Sequence, residues 1–181
     1  MPAPLELVGY CPKTTAVPSG LAVPPAVTEL CSVSNCLNAP PRGWIDHWLH
    51  NELGFFNTQR DARAILPAQA SGYALFAYRL MLVRFVKGRR EDLALPQVPM
   101  EPLAGSFVSI GFDVVSKSIS SFFECSPLSC NGFAAKAPVN RCCLLDSLTD
   151  AVALAERCSR EEPEPGPYYV IEVLRDESTF P

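Results

Sequence analysis

Residues 31–36 read Cys-Ser-Val-Ser-Asn-Cys, and residues 125–130 read Cys-Ser-Pro-Leu-Ser-Cys. In both segments a Cys-Ser pair is followed by three residues and a second cysteine, with an asparagine within the next two positions. Internal self-similarity is the sequence signature of a repeated structural unit. The recurring C-S-x-x-x-C segment therefore predicts that the 181-residue chain contains two related halves.

Further matches follow in the same order in both halves. Residues 55–62 correspond to residues 144–151, and residues 72–76 resemble residues 166–170. Upstream of the cysteine segments, Gly9-Tyr10 and Gly111-Phe112 correspond more loosely.

The secondary structure predicted for the two halves is also similar. Thr58 and Ser147 are suitable N-caps, and each is followed three positions later by an aspartate, so a helix is expected to begin after each. Aromatic and β-branched residues predict strands at 75–86, 107–115 and 168–174. The expected fold is α+β, with two units of strand, cysteine loop, strand, helix and strand packed about a pseudo-twofold axis.

The first half carries an additional segment. Trp44, Ile45, Trp48, Leu49 and Leu53 recur at helical spacing, which predicts an amphipathic, tryptophan-rich helix over residues 43–53. Because aromatic side chains dominate protein interfaces, Trp44 and Trp48 are the predicted contacts to a partner. The predicted organisation is a first unit over residues 1–86, a proline-rich linker over 87–105 and a second unit over 106–181, all in one compact body.

The paired cysteine loops define a candidate metal site. If the loops meet, Cys31, Cys36, Cys125 and Cys130 would supply four thiolates, a ligand set that suits zinc or iron. A second arrangement uses Cys31 and Cys36 with His47 and His50, although the histidine spacing is one residue shorter than in zinc fingers. The simplest interpretation is structural, with small buried thiols beneath two serine- and asparagine-rich turns.

The same cysteines leave a catalytic alternative open. A loop cysteine paired with His47 or His50 would make a thiol-dependent enzyme or a redox protein, provided that the thiol has a lowered pKa. The sequence contains no dinucleotide-binding, P-loop, zinc-protease or serine-hydrolase motif. A non-catalytic function is therefore favoured, with no assigned catalytic residue.

Charge and hydropathy restrict the remaining function classes. Residues 1–90 carry a net charge of +4 and residues 91–181 carry −8, which favours docking of the halves, self-association or a protein partner. No broad basic surface suggests nucleic acid, and no apolar stretch is long enough to span a bilayer. The N-terminus has no secretory signal pattern, so a cytoplasmic location with reduced thiols is expected. The sequence therefore predicts a cytoplasmic interaction or accessory module with structural cysteine loops, zinc being an optional cofactor.

Overall fold

A five-stranded antiparallel sheet forms the centre of the protein, and the fold is α+β as the sequence predicts. The computed structural model describes residues 4–38, 40–41, 50–66, 72–95, 99–118 and 122–178. Its elements, in chain order, are β1 (Leu5–Thr14), α1 (Gln59–Ala64), β2 (Tyr73–Val86), β3 (Arg89–Asp92), β4 (Phe107–Ser116), α2 (Pro127–Cys130), a 3₁₀ turn (Phe133–Lys136), α3 (Leu148–Glu161) and β5 (Tyr168–Asp176).

The strand order of the sheet is β1-β2-β5-β4, and β3 pairs with the end of β2. In the central pair, Tyr78 of β2 lies opposite Val173 of β5. The strand β1 pairs with the outer side of β2, and its register shifts beside Gly9, which lies opposite Tyr78. The strand β4 pairs with the outer side of β5 in the same way, and its register shifts beside Gly111, which lies opposite Val173. The register irregularities therefore lie next to the same central residue pair on both sides.

Glycine is required at both irregularities. Gly9 and Gly111 have φ angles of 145° and 136°, which side-chain-bearing residues rarely adopt. A Cβ atom on Gly9 would lie 2.4 Å from Cβ of Phe55, and one on Gly111 would lie 2.8 Å from the carbonyl oxygen of Leu145. The loops that follow the cysteine segments thus pack directly on the backbone of the two outer strands.

The predicted helix starts are confirmed. The side chain of Thr58 accepts a hydrogen bond from the backbone N–H of Asp61, and Ser147 accepts one from Asp150 in the same way. Each cap satisfies one of the N–H groups that a helix start otherwise leaves without a partner. None of the helices in the described ranges has the length and apolar character needed to cross a membrane.

Alternate side chains of the central strands pack on the two faces of the sheet. One face forms a buried cluster that includes Cys31 and Val33 of the first cysteine loop and Cys142. The other face meets α3, whose buried stripe includes Leu154 and Cys158. The first cysteine loop therefore packs on the face opposite α3, whereas Leu128 of the second loop joins the cluster that contains α3.

Two sequence-based expectations differ from the structure. Residues 42–49, which include Trp44, His47 and Trp48, lie outside the described residues. The end of the predicted helix, residues 50–53, is not helical, because the Asn51 side chain bonds the backbone of a turn there. Within the predicted linker, Arg89–Asp92 forms β3, since a tight turn lets this segment pair with the end of β2.

Asn51 and Asn140 organise the loops after the two cysteine segments in the same way. In each loop the side-chain oxygen of the asparagine accepts hydrogen bonds from the backbone N–H groups two and four residues later. The side-chain nitrogen of the asparagine donates one hydrogen bond to a carbonyl of the outer strand and one to the side chain six residues later. The partners are Leu53, Phe55, Val8 and Asn57 for Asn51, and Cys142, Leu144, Ile110 and Asp146 for Asn140, at 2.9–3.3 Å.

Candidate metal centre

Three cysteines from the two repeated loops lie together. The Sγ atoms of Cys36, Cys125 and Cys130 are all within 4.8 Å of one another. Cys36 is exposed, while Cys125 and Cys130 are partly buried. Three of the four cysteines expected to bind a metal from sequence are therefore brought into one group, and Cys31 lies elsewhere.

The second loop brings its own two cysteines together by a single helical turn. Ser126 is the N-cap of α2, and Pro127 occupies the first turn, where a missing N–H costs nothing. The backbone N–H of Cys130 donates to the carbonyl of Ser126 at 2.7 Å, which closes the turn. The turn therefore brings Cys130 back beside Ser126, the residue that follows Cys125 in the sequence.

The first loop delivers only its second cysteine to this group. Its backbone pairs with the segment around residue 142, so that Cys31 is buried in the core. Further along, the Ser34 hydroxyl accepts the N–H of Cys36 at 3.1 Å and donates to the carbonyl of Glu124 at 2.6 Å. This cross-loop bond holds Cys36 beside the start of the second loop.

The carboxylate of Asp113, in the outer strand β4, joins the two loops directly. One oxygen accepts the Ser32 hydroxyl at 2.8 Å and the N–H of Val33 at 2.9 Å. The other accepts the Ser126 hydroxyl at 2.6 Å and the N–H of Val114 at 2.8 Å. Ser32 and Ser126 are the equivalent serines of the two C-S-x-x-x-C segments, so a single buried carboxylate positions both loops.

A buried ammonium group completes this support. Nζ of Lys13, at the end of β1, donates to the carbonyl oxygens of Ser32, Val33 and Ser34 at 3.1, 2.6 and 2.8 Å. Burial lowers the pKa of Lys13 to about 8, and nearby groups that include Asp113 oppose this shift. Burial raises the pKa of Asp113, while its hydrogen bonds act in the opposite direction. The first loop is thus held between an ammonium and a carboxylate, both fully buried.

The three clustered thiols favour a cation. Burial, followed by the nearby Cys130, Glu164 and Cys36, raises the pKa of Cys125 to about 12. Burial also raises the pKa of Cys130, and the neighbouring Cys36 adds to that shift. Cys125 and Cys130 therefore resist ionisation first because they are buried and then because neighbouring thiolates would repel one another. A dication among them would reverse this effect and bind as the protons are released.

Cys31 belongs to a second group, with Glu29 and Cys142. This group does not fit a metal, because the Glu29 carboxylate is already engaged by two guanidinium groups. Arg175 lies 2.8 Å from one of its oxygens, and Arg141 lies 3.2 Å from the other. A metal ion here would have to compete with two fixed positive charges.

The candidate histidine ligands are only partly covered by the structure. His47 lies outside the described residues. The His50 ring packs edge-on against Phe122, with 5.6 Å between ring centroids, and its Nδ1 lies 3.4 Å from the carbonyl oxygen of Asn51.

Lys13 and Asp113 are the functional residues that sequence reasoning missed. The available signal was a charged residue within a segment that reads as a strand: Asp113 is preceded by Phe112 and followed by two valines. A charge at such a position is buried only when it is paired or hydrogen-bonded. Comparison of this chain with protein families, curated proteins and solved structures finds no match.

Proposed function

We propose that the protein is a non-catalytic accessory module in which a zinc ion, held by Cys36, Cys125 and Cys130, links two duplicated cysteine loops. The observation that carries this proposal is the approach of three sulfur atoms, from loops almost a hundred residues apart, to within 4.8 Å. Thiolates favour zinc over the hard cations magnesium and calcium.

A structural role for the zinc follows from the ligand set. Zn²⁺ with three thiolates has a net charge of −1, so it withdraws little charge from a bound water or substrate. Structural zinc sites have four protein ligands, so a structural role requires a fourth ligand beside the three thiolates, and Glu164 is the proposed one. Glu164 already influences the pKa of Cys125, and its Oε1 accepts a hydrogen bond from Asn131 at 2.9 Å.

The test is metal content and cobalt spectroscopy on the full chain purified with a phosphine reductant. Elemental analysis should give about one zinc per chain, and Co²⁺ should produce the sulfur-to-cobalt charge-transfer bands of a tetrahedral thiolate site. In the variants Cys36→Ser, Cys125→Ser and Cys130→Ser, Zn²⁺ affinity should fall by more than about 100-fold, because loss of a ligand costs more than loss of a supporting group.

Two cysteine variants serve as controls. Cys158→Ala changes a buried thiol on α3 and should leave the cobalt spectrum unchanged. Cys31→Ala distinguishes the proposed site with three thiolates from the site with four thiolates that the sequence suggested. If Cys31 is not a ligand, this variant should also give the wild-type cobalt spectrum. Zinc content near zero in the wild-type protein, together with no cobalt bands on titration, would reject the metal site.

The duplication is part of the same proposal. It is supported by the equivalent serines on Asp113, the two shifted glycines beside the central pair, and the matched contacts of Asn51 and Asn140. The pairing of Tyr78 with Val173 would place a pseudo-twofold axis between β2 and β5. The role as a partner-binding module rests on the charge asymmetry and on the missing catalytic motifs, with Trp44 and Trp48 as predicted contacts.

The duplication predicts equal effects at the two asparagines. Asn51→Ala and Asn140→Ala should each lower the free energy of unfolding by about 2 to 6 kcal/mol, because each removes four hydrogen bonds worth about 0.5 to 1.5 kcal/mol apiece. Urea denaturation of both variants measures this. A large loss for one variant and none for the other would contradict equivalent roles.

A further inference from the structure

Cys31 and Cys142 come from different halves of the chain and lie side by side. Their sulfur atoms are within 4.8 Å, and the backbone N–H of Cys31 donates to the carbonyl of Cys142 at 3.1 Å. The N–H groups of Thr28 and Glu29 also donate to the carbonyl of Arg141, the residue before Cys142. Three backbone hydrogen bonds therefore hold the two segments together at the cysteine pair, which is the proximity that a disulfide bond requires.

The surroundings make the two thiols unequal. A hydrogen bond from the Cys31 thiol lowers the pKa of Cys142, and Arg141 and Arg175 contribute to this against burial and Glu29. The same hydrogen bond, with burial, raises the pKa of Cys31. The Cys142 thiol can donate a hydrogen bond to Oε2 of Glu29, 3.7 Å from its sulfur. Cys142 is thus the sulfur of the pair that ionises more readily, and at 2% exposed against 0% for Cys31 it is also the nearer to the surface.

We propose that Cys31 and Cys142 form a redox dithiol, which small peptide disulfides such as oxidised glutathione convert into a disulfide bond between the two halves of the chain. A surface cleft reaches Glu29, whose Oε2 lies 3.7 Å from the Cys142 sulfur, and it is lined by Arg141 and Arg175 together with Asp176 and Glu177. Both signs of charge therefore face the ammonium and carboxylate groups that such a peptide carries.

The reaction is a two-step thiol–disulfide exchange. The Cys142 thiolate attacks one sulfur of oxidised glutathione, the glutathione S–S bond breaks, and one glutathione thiolate leaves. The Cys31 sulfur then attacks the Cys142 sulfur of the mixed disulfide, and the second glutathione leaves with the proton of Cys31. The protein loses two electrons to the glutathione disulfide, which becomes two reduced molecules. This chemistry does not depend on the zinc site, whose three cysteines form a separate group.

The experiment equilibrates the full-length protein, with Zn²⁺ present, in glutathione buffers of graded oxidised-to-reduced ratio. Acid quenching, alkylation of free thiols, tryptic digestion and mass spectrometry then locate each modification. Trypsin leaves Cys31 with Cys36 in residues 14–42, and Cys142 with Cys143 in residues 142–157, so fragment ions within each peptide must assign the bond. The expected product is a Cys31–Cys142 cross-link with Cys36 and Cys143 alkylated.

Variants identify the role of each sulfur. Cys31→Ala should trap glutathione on Cys142 as a mixed disulfide, whereas Cys142→Ala should leave Cys31 free of glutathione. Cys143→Ala changes the adjacent cysteine, which packs in the other buried cluster, and should keep the cross-link. If a variant fails to fold, the wild-type peptide map alone decides. Alkylation of both Cys31 and Cys142 at every ratio, or a cross-link from Cys142 to a different cysteine, overturns the proposal. Zinc content measured on the same samples reports separately on the metal site.

Discussion

Replacing Asp113 with alanine is expected to lower the free energy of unfolding by about 3 to 5 kcal/mol, the range for removing one partner from a buried charged network. The variant leaves two serine hydroxyls and two backbone N–H groups without their acceptor. It also removes a carboxylate whose charge favours the ammonium form of the buried Lys13. Equilibrium urea denaturation measures the loss.

The same variant should also weaken metal binding, because Asp113 positions both loops that carry the proposed ligands. A fall in Zn²⁺ affinity of about 10- to 100-fold is expected, as for other groups that orient ligands. The matched control is Asp92→Asn, an exposed carboxylate on β3, which should stay within about 0.5 kcal/mol of wild type and keep its metal affinity. If Asp113→Ala is as stable as this control, the carboxylate does not hold the loops.

Replacing Lys13 with methionine should cost a similar amount, about 3 to 5 kcal/mol. Methionine preserves the length of the side chain but leaves the carbonyls of residues 32–34 without their donor. The control is Lys136→Met, at an exposed lysine. In the double variant Lys13→Met/Asp113→Ala the loss should be smaller than the sum of the single losses, because neither charge is then left buried without the other. Additive losses would show that the two charges act independently.

The difference in stability between wild type and Lys13→Met should increase at alkaline pH. The pKa of Lys13 is lowered from about 10.5 in the unfolded chain to about 8 in the folded protein, chiefly by burial. Between these values the unfolded state holds the proton that the folded state has released, so stability from this group rises with pH. The free energy of unfolding contributed by Lys13 should therefore rise with pH by up to about 1.4 kcal/mol per pH unit. Urea denaturation of both proteins from pH 7.5 to 9.5 tests it, and a difference that shrinks over this range contradicts the lowered pKa.

The local patterns of the sequence predicted the parts of the fold that local chemistry controls. Thr58 and Ser147 start helices because the bonding partner of each cap is only three residues away. The aromatic and β-branched runs became β2, β4 and β5 because they pair within one sheet. Periodicity and capping are readable from a short window of sequence.

The positions of the two cysteine loops relative to each other were less predictable, because contacts between residues far apart in the sequence determine them. Nothing near residue 31 indicates that Cys31 will lie against Cys142 while Cys36 meets the second loop. Lys13 and Asp113 carry no motif, since each is a single charge in a strand and acts through backbone groups of a distant loop. The adjacent pair Cys142-Cys143 lies in a turn, where Cys143 has a φ of 61°, and no local pattern of the sequence indicates this conformation.

The position of Asp113 along the chain also affects how the protein is made. During synthesis, Lys13 and the carbonyls it binds emerge from the ribosome close together, only about 20 residues apart. The carboxylate that completes the first loop follows 81 residues after Ser32. Until Asp113 is synthesised, the loop that contains Cys31 and Cys36 can be held by the ammonium of Lys13 but not by the carboxylate of Asp113. The first half therefore depends on the second to bury Cys31, and a ribosome pause before residue 113 would prolong the exposure of this thiol to oxidants.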